Sequence, residues 1–271
     1  MEKVSALENE TTSSTASTQQ ENSKLSLISW NVDGLDSEQQ PERARGLCSY
    51  LMTHSPDVVL LQELIQPYVR FMKNRLLASY TFIEEGYYVA MMLKKSRVTL
   101  LDSKIFDFPL SRMMRNLLMA QVGAQGQTLY LMTSHFESCK AHAAERMRQL
   151  TLVMRKMTRA PDDVTVLFGG DTNLRDAEVA KVGLPSCVCD VWEHLGEPEH
   201  CRYTWDTHAN TNKDVEFKCR LRFDRLYLRR AAREGVPQLE PDSMALIGLE
   251  KLPCGRYTSD HWGIYCTFST E

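Results

Sequence analysis

The stretch VLFGGDTNLRD, residues 166–176, decides the fold. Val166, Leu167 and Phe168 lead into Gly169 and Gly170, and Asp171 and Asn173 follow almost at once. A short apolar run closed by glycines reads as a buried strand that stops at a pinch-point. Asp and Asn in such a place ordinarily make turns. Strand ends are also where α/β enzymes keep reactive groups, so the rest of the chain decides between the two.

Working outward, six further apolar runs read as strands: LSLISW (25–30), VVLLQ (58–62), YYVAMML (87–93), TLYLMTS (128–134), RFDRLYL (222–228) and HWGIYCTF (261–268), beside VTVLFG (164–169) itself. Helices are predicted over PERARGLCSYLMTH and AHAAERMRQLTLVMRKM. In the second, Met147, Leu150, Met154 and Met157 recur at helical spacing and form a core stripe, with Arg and Lys on the opposite face. Strands interleaved with helices imply α/β layers.

At 271 residues, 43% hydrophobic, the chain suits one large domain or two small ones. Residues 1–24 are rich in Ser, Thr, Gln and Glu and are expected to form a disordered tail ahead of a single domain over 25–271. No run approaches the roughly 18 apolar residues of a membrane span, and the start lacks a signal-peptide layout. A soluble intracellular protein is expected. The eight cysteines are scattered, and Cys187 and Cys189 alone make a poor zinc signal, so reduced and mostly buried thiols are expected. The net charge of −3 means that any nucleic acid must be attracted by a local site.

Six of the apolar runs share a feature: each delivers a polar group at or beside its end. Asn31 and Asp33 follow the first, Glu63 the second, and His135 the TLYLMTS run. Asp171 and Asn173 close the quoted stretch, Asp224 lies in RFDRLYL, and Asp260 and His261 precede the last strand. Any one of these has a bland reading. Six segments that deliver the same chemical kind form an inventory for phosphoryl chemistry. Glu63 offers hard oxygen to Mg²⁺, and Asp171 can orient and deprotonate a water. Asn31 and Asn173 can bond phosphate oxygens without adding charge. A protonated His261, held by Asp224, can offset charge in the transition state.

The motifs ISWNVDGL, LLQE, TSHFES, GGDTN and SDHWG occur in the order found in the endonuclease/exonuclease/phosphatase superfamily, to which DNase I and the AP endonucleases belong. The resemblance covers about residues 25–269. It implies a DNase I-like, four-layer α/β/β/α sandwich with two mixed sheets and the site at one end. The stretches ERARGLCSYL, HAAERM, GDTNLRD, YTWDT and LRFDR resemble more closely the branch of the family that removes tyrosine from DNA 5′ ends.

The resemblance implies Glu63 as the Mg²⁺ ligand (Mn²⁺ also being compatible), with Asp260 next to the metal and Asp33 as a water-mediated contact. It gives Asp171 the attacking water, Asn31 and Asn173 the scissile phosphate, and His261, supported by Asp224, a phosphate contact. His135 stands where AP endonucleases carry a tyrosine. Arg175 resembles a DNA-backbone contact, and Trp205 and Phe223 an aromatic wall for a single-stranded 5′ end, where stacking is worth ~1–3 kcal/mol per base. Ser138 is expected to cap the following helix and to offer its hydroxyl to phosphate.

Lys213 departs from the pattern, standing in WDTHANTNKDVEF where relatives carry an apolar DNA contact; a lysine there can reach a phosphate instead. Those relatives also carry a ubiquitin-binding-type domain ahead of the catalytic one, where this sequence has a short tail. The partners implied are DNA 5′ ends bearing tyrosine or peptide, as topoisomerase 2 adducts do. A monomer is expected in the nucleus, the cytoplasm also being compatible, and no membrane partner is expected. The alternatives on the same scaffold are an AP endonuclease, an RNA nuclease, and a lipid or inositol phosphatase. Outside enzymes, the alternative is an adaptor, which would be expected to lack one of Glu63, Asp171 or His261; all three are present.

Overall fold

The computed structural model describes residues 24–270 except 85 and 87. Along the chain come β1 (Leu25–Asn31), α1 (Gln40–His54), β2 (Val58–Gln62), α2 (Gln66–Leu76), β3 (Tyr80–Ile83), β4 (Val89–Lys94), β5 (Thr99–Asp107), β6 (Asn116–Ala124) and β7 (Gln127–His135). They are followed by α3 (Ala143–Thr158), β8 (Val164–Asp171), α4 (Asp176–Val182), β9 (Cys189–Asp190), α5 (Val191–His194), β10 (Trp205–Asp206), β11 (Arg220–Leu221), β12 (Asp224–Arg229), β13 (Leu239–Ile247) and β14 (Gly263–Thr270). One mixed sheet has the order β13-β14-β1-β2-β4-β3 and the other β5-β6-β7-β8-β12-β9, while β10 and β11 form a small ribbon.

Both faces of the central strands are covered, which is why they read as continuous apolar runs. Leu27, Leu60 and Met91 point between the sheets and meet Leu118, Leu131, Leu167 and Leu226. The alternate residues Ile28, Val59 and Leu61 pack outward on Leu47 and Leu51 of α1 and on Val69 and Met72 of α2. On the other side Phe168 and Tyr227 pack on Leu150, Val153, Met154 and Met157 of α3. The four-layer α/β/β/α sandwich expected from the sequence is the fold observed.

Strand direction places the polar termini together. Parallel β1 and β2 end in register, Asn31 opposite Gln62. Parallel β7 and β8 likewise end with His135 opposite Asp171. The antiparallel β12 starts where β8 ends, pairing Asp224 with Asp171. β14 runs antiparallel to β1, so the residues just before it return to the same end.

Several expectations change. Gly169 and Gly170 are buried strand residues, and β8 continues through them to Asp171. They serve close approach: a Cβ on Gly170 would lie 2.2 Å from the Ser134 carbonyl oxygen, and one on Gly169 would lie 2.7 Å from a Leu226 methyl. Residues 261 and 262 precede β14, because the Trp262 amide donates to Thr204 instead of joining the ladder. The helix carrying the methionines is not purely basic on its far side: Arg146 is fully buried, drawn in by both carboxylate oxygens of Glu178. All eight cysteines are free, but only Cys48, Cys201 and Cys266 are buried, since Cys139 and Cys187 fall in exposed turns. Lys24 is held to the domain through Asp242, Arg97 and Gln125; the remainder of the expected tail, residues 1–23, lies outside the described residues. No described helix is long and apolar enough to cross a membrane.

Because its blocking atom is backbone, Gly170→Ala is expected to lower the unfolding free energy by about 2 kcal/mol or more. Gly123→Ala in β6, where a Cβ meets nothing within 4 Å, is expected to change it by less than about 1 kcal/mol. Denaturant midpoints of the two variants read the difference.

Candidate active site

The site is assembled around one buried carboxylate. Asp171 Oδ2 accepts from the Asn31 amide at 2.8 Å and lies 3.2 Å from His135 Nε2 and 3.7 Å from His261 Nε2. Its Oδ1 accepts the backbone N–H of Asn173 at 3.0 Å. The second hydrogen of the Asn31 amide goes to Glu63 Oε1 at 3.0 Å, so one side chain bridges the two sheets. The Asn31 carbonyl oxygen accepts the Asp33 N–H at 2.9 Å, which fixes the orientation of the amide.

Three of these residues adopt left-handed backbone: Asp33 (φ 48°), Glu63 (φ 52°) and Asn173 (φ 51°). Such conformations cost energy in non-glycine residues and cluster at working sites. At Glu63 the turn immediately follows β2, and its carbonyl is caught by the Gly34 N–H at 3.1 Å.

The two histidines beside Asp171 are in opposite states. His135 Nδ1 lies 3.0 Å from Arg115 Nη1, and a guanidinium can only donate. The proton therefore sits on Nε2 and is donated to Asp171. Burial lowers the His135 pKa to about 3, with Arg115 adding to the effect against Asp171. His261 is also buried, which by itself disfavours the cation, but Asp224 and Asp171 outweigh burial and raise its pKa well above 6.5. Its Nδ1 donates to Asp224 Oδ2 at 2.8 Å, and the Asp224 N–H is anchored on Thr204 Oγ1.

Glu63 is the more accessible carboxylate, its side chain 18% exposed. Burial raises its pKa, Asn31 works against this, and Asp260 and Asp171 add to it. Glu63, Asp171 and Asp260 thus form an anionic pocket with His261 as the neighbouring cation. Hard oxygen donors in surplus negative charge suit a divalent cation. Glu63, His135 and Asp171 lie close enough to share one, as do Asp171, Asp224 and His261. His135 Nδ1 is taken up by Arg115, so the oxygens are the fitting donors. Asp260 Oδ1 lies 4.0 Å from His261 Nε2. The buried Asp33 carboxylate instead faces Lys213 Nζ at 3.0 Å and Arg43 at 3.4 Å; burial and Asp260 nonetheless push its pKa up to about 7.

The residues read as DNA contacts form a second group. Trp205 and Phe223 pack with ring centroids 5.5 Å apart, and each lies 6.5 Å from the His261 ring. The Arg175 guanidinium stands 5.1 Å over Phe223 and donates to the Asn173 carbonyl. Phe223 is 6% exposed, so Trp205 offers the larger face. Ser138 caps no helix: the turn begins after Cys139, and the Ser138 hydroxyl is drawn away to Arg115 Nη2 at 3.1 Å. Lys213 is held by Asp33 and Asp36, not standing free.

Three arginines escaped the sequence reading. Arg115 sits immediately before β6 and orients His135. Arg43, fully buried in α1, donates to the carbonyls of Val32, Asp33, Asp36 and Thr258 and so fixes the loops that carry Asp33 and Asp260. Arg146 does the same for the loop after β7, through the carbonyls of Glu137 and Cys139. The available signal was weak: ERARGL carries two arginines, Arg43 and Arg45, HAAERM carries one, and Arg115 lies in no helical motif.

The family model described as Endonuclease/Exonuclease/phosphatase family matches residues 28–261. Tyrosyl-DNA phosphodiesterase 2 of Danio rerio is 60% identical over 271 residues, covering 98% of this chain and 73% of that protein. The Homo sapiens protein of the same name is 55% identical, covering 95% and 74%. Among solved structures, D. rerio TDP2 complexed with single-strand DNA product superposes with a TM-score of 0.88 at 62% identity, covering 92% of this chain and 100% of that one. TDP2 from C. elegans gives 0.81 at 30% identity, covering 91% and 75%.

Histidine NMR checks the site's electrostatics: His135 is expected to stay neutral, protonated on Nε2, from pH 8 to pH 5, while His261 is an imidazolium at pH 7. The folded His135 value lies below the unfolded 6.5, so its contribution to stability is lost progressively as pH falls below about 6.5. A His135 that titrates near 6.5 would contradict the assigned hydrogen bonds.

Proposed function

The chain belongs to the endonuclease/exonuclease/phosphatase family, and we propose that it hydrolyses the phosphodiester between a tyrosine oxygen and a DNA 5′ phosphate. The observation that carries this reading is the convergence on Asp171 of Asn31, a neutral His135 and a cationic His261, beside the unneutralised Glu63. The substrate class is supported by relatives named tyrosyl-DNA phosphodiesterase 2 at 52–60% identity.

Asp171, steered by Asn31, His135 and the Asn173 N–H, holds the attacking water and takes its proton. The water oxygen bonds to phosphorus as the bond from phosphorus to the tyrosine oxygen breaks. The phenolate, with a pKa of about 10, leaves without needing a dedicated acid and is protonated from solvent. His261, kept cationic by Asp224, offsets charge on the phosphoryl oxygens, and Asn173, whose amide keeps a second hydrogen, orients them, while both Asn31 donors are taken up by Asp171 and Glu63. A divalent cation held by Glu63, with Asp260 and Asp33 in its surroundings, supplies further charge neutralisation when bound; Mg²⁺ fits the oxygen-rich donor set, as does Mn²⁺. Trp205 and Phe223 beside His261, with Arg175, offer a sequence-tolerant stacking surface for a single-stranded 5′ end. The adduct left by a trapped topoisomerase 2 has this chemistry, and such a substrate implies work in the nucleus. The product is a 5′-phosphate end.

A single-stranded oligonucleotide with a 5′-phosphotyrosine is expected to release tyrosine and a 5′-phosphate product with Mg²⁺, and to remain intact in EDTA. Glu63→Gln and Asp171→Asn are each expected to lower kcat by about 10²–10³-fold; full activity in either sinks the mechanism. Raising pH through the elevated His261 pKa removes its proton, so the rate falls on the alkaline side. Asp224→Asn is expected to move that fall to lower pH, and an unmoved profile would remove His261 from its role.

A further inference from the structure

We infer that the cavity under the β5–β6 loop, beside Arg115, receives the peptide that flanks the linked tyrosine. This rests on the tyrosyl-DNA reading of the site. Two polymers meet at the scissile phosphorus, so the site needs two exits. The DNA side is provided on one flank of Asp171, where Trp205, Phe223 and Arg175 gather around His261. On the other flank, His135 leads to Arg115, and Arg115 lines an open cavity of about 550 Å³ with Phe108, Pro109 and Met114.

The loop that forms this cavity is held firmly and presents exposed aliphatic and thioether side chains alongside Arg112 and Arg115, with Asp107 and Asn116 also lining the cavity. Leu110 is 60% and Met114 66% exposed, an arrangement that contributes nothing to the core. Beneath them Phe108 is buried edge-on against Phe136, with centroids 5.7 Å apart. The buried carboxylate of Glu137 accepts from Ser111 Oγ and from the Arg112 N–H, each at 2.7 Å. Ser111 Oγ in turn accepts the N–H groups of Met113 and Arg115. A fully buried charge is thus used to fix a loop that presents aliphatic and thioether side chains at the edge of the site. Such surfaces adapt to irregular apolar side chains. Bases call for flat stacking faces instead, and this loop exposes no aromatic ring. The occupant that fits is a peptide with aliphatic residues next to tyrosine.

The test compares two substrates sharing one oligonucleotide sequence. One carries a 5′-tyrosine, the other a hexapeptide with its tyrosine flanked by leucine and alanine. The wild-type protein is expected to show a KM about tenfold lower for the peptide adduct. Leu110→Asp/Met114→Asp is expected to abolish that advantage while leaving cleavage of the plain 5′-tyrosyl end unchanged. Met114→Asn guards against misfolding, because asparagine tolerates the φ of 58° found there; it is expected to lose part of the same advantage. Equal KM values for both substrates with the wild-type protein would overturn the inference. So would a variant that weakens both substrates alike, which would mark the loop as a DNA surface or a structural support. A wild-type protein that leaves the plain 5′-tyrosyl end intact removes the parent reading, and this one with it.

Discussion

One side-chain amide joins the two halves of the site. Asn31 ends a strand of the first sheet and Asp171 a strand of the second, and the hydrogen bond between them spans the open end of the sandwich. The same amide reaches Glu63, so the group expected to hold the metal and the group expected to hold the water keep their separation through a single residue. An amide suits this task because both of its donors can serve carboxylates without adding charge. A lysine or arginine would neutralise the pocket, and a hydroxyl has one hydrogen to give. The rest of the fold makes that bond possible: the parallel pairs β1–β2 and β7–β8 end together, and β12 and β14 begin where they end.

Electrostatic asymmetry follows from what lies behind each histidine. His135 has an arginine on its outer nitrogen and His261 an aspartate, while both face Asp171. The pair therefore supplies a neutral donor and a cation from one residue type in equal burial. The cation is matched to Asp224, and the carboxylates Glu63, Asp171 and Asp260 are left in excess. That surplus disfavours a bare pocket and favours an entering divalent ion.

Most inner strands were legible in the sequence because they are covered on both faces and so appear as unbroken apolar runs; β6, inner but alternately buried and half-buried, was not read. Runs such as VVLLQ, residues 58–62, show their boundaries directly, and the polar residue beyond each run stands out. β5 was invisible because it is an edge strand, mostly solvated, and its sequence TLLDSKIFD carries no clean alternation. β13, at the edge of the other sheet, is interrupted by Pro241 and an irregularity in its pairing. α2 was passed over although Pro67 stands in its first turn; like α1, it has no side-chain cap. Arg43, Arg115 and Arg146 were passed over for a different reason. Arginines carry no pattern of their own, and the partners that give these three meaning, carbonyls for Arg43 and Arg146 and the His135 and Ser138 side chains for Arg115, are brought in by the fold. Ser138 shows the converse: its position before a helix suggested a cap, but a guanidinium brought in from residue 115 claimed the hydroxyl.

Lys213 shows how a departure from a family pattern can be absorbed locally. Its ammonium meets Asp33 at 3.0 Å and Asp36 at 3.1 Å, and Arg256 also reaches Asp36 at 2.6 Å. The segment between β10 and β11 is thereby tied to the loop that follows β1. With two carboxylates in contact, the Lys213 charge is matched within the protein. The consequence reaches the site through Asp33, whose buried carboxyl is pushed up toward neutral pH by Asp260 as well as by burial. Lys213 and Arg43 oppose that push without cancelling it, so the carboxyl titrates near neutral pH. A lysine at this position thus acts on the acidic pocket from behind.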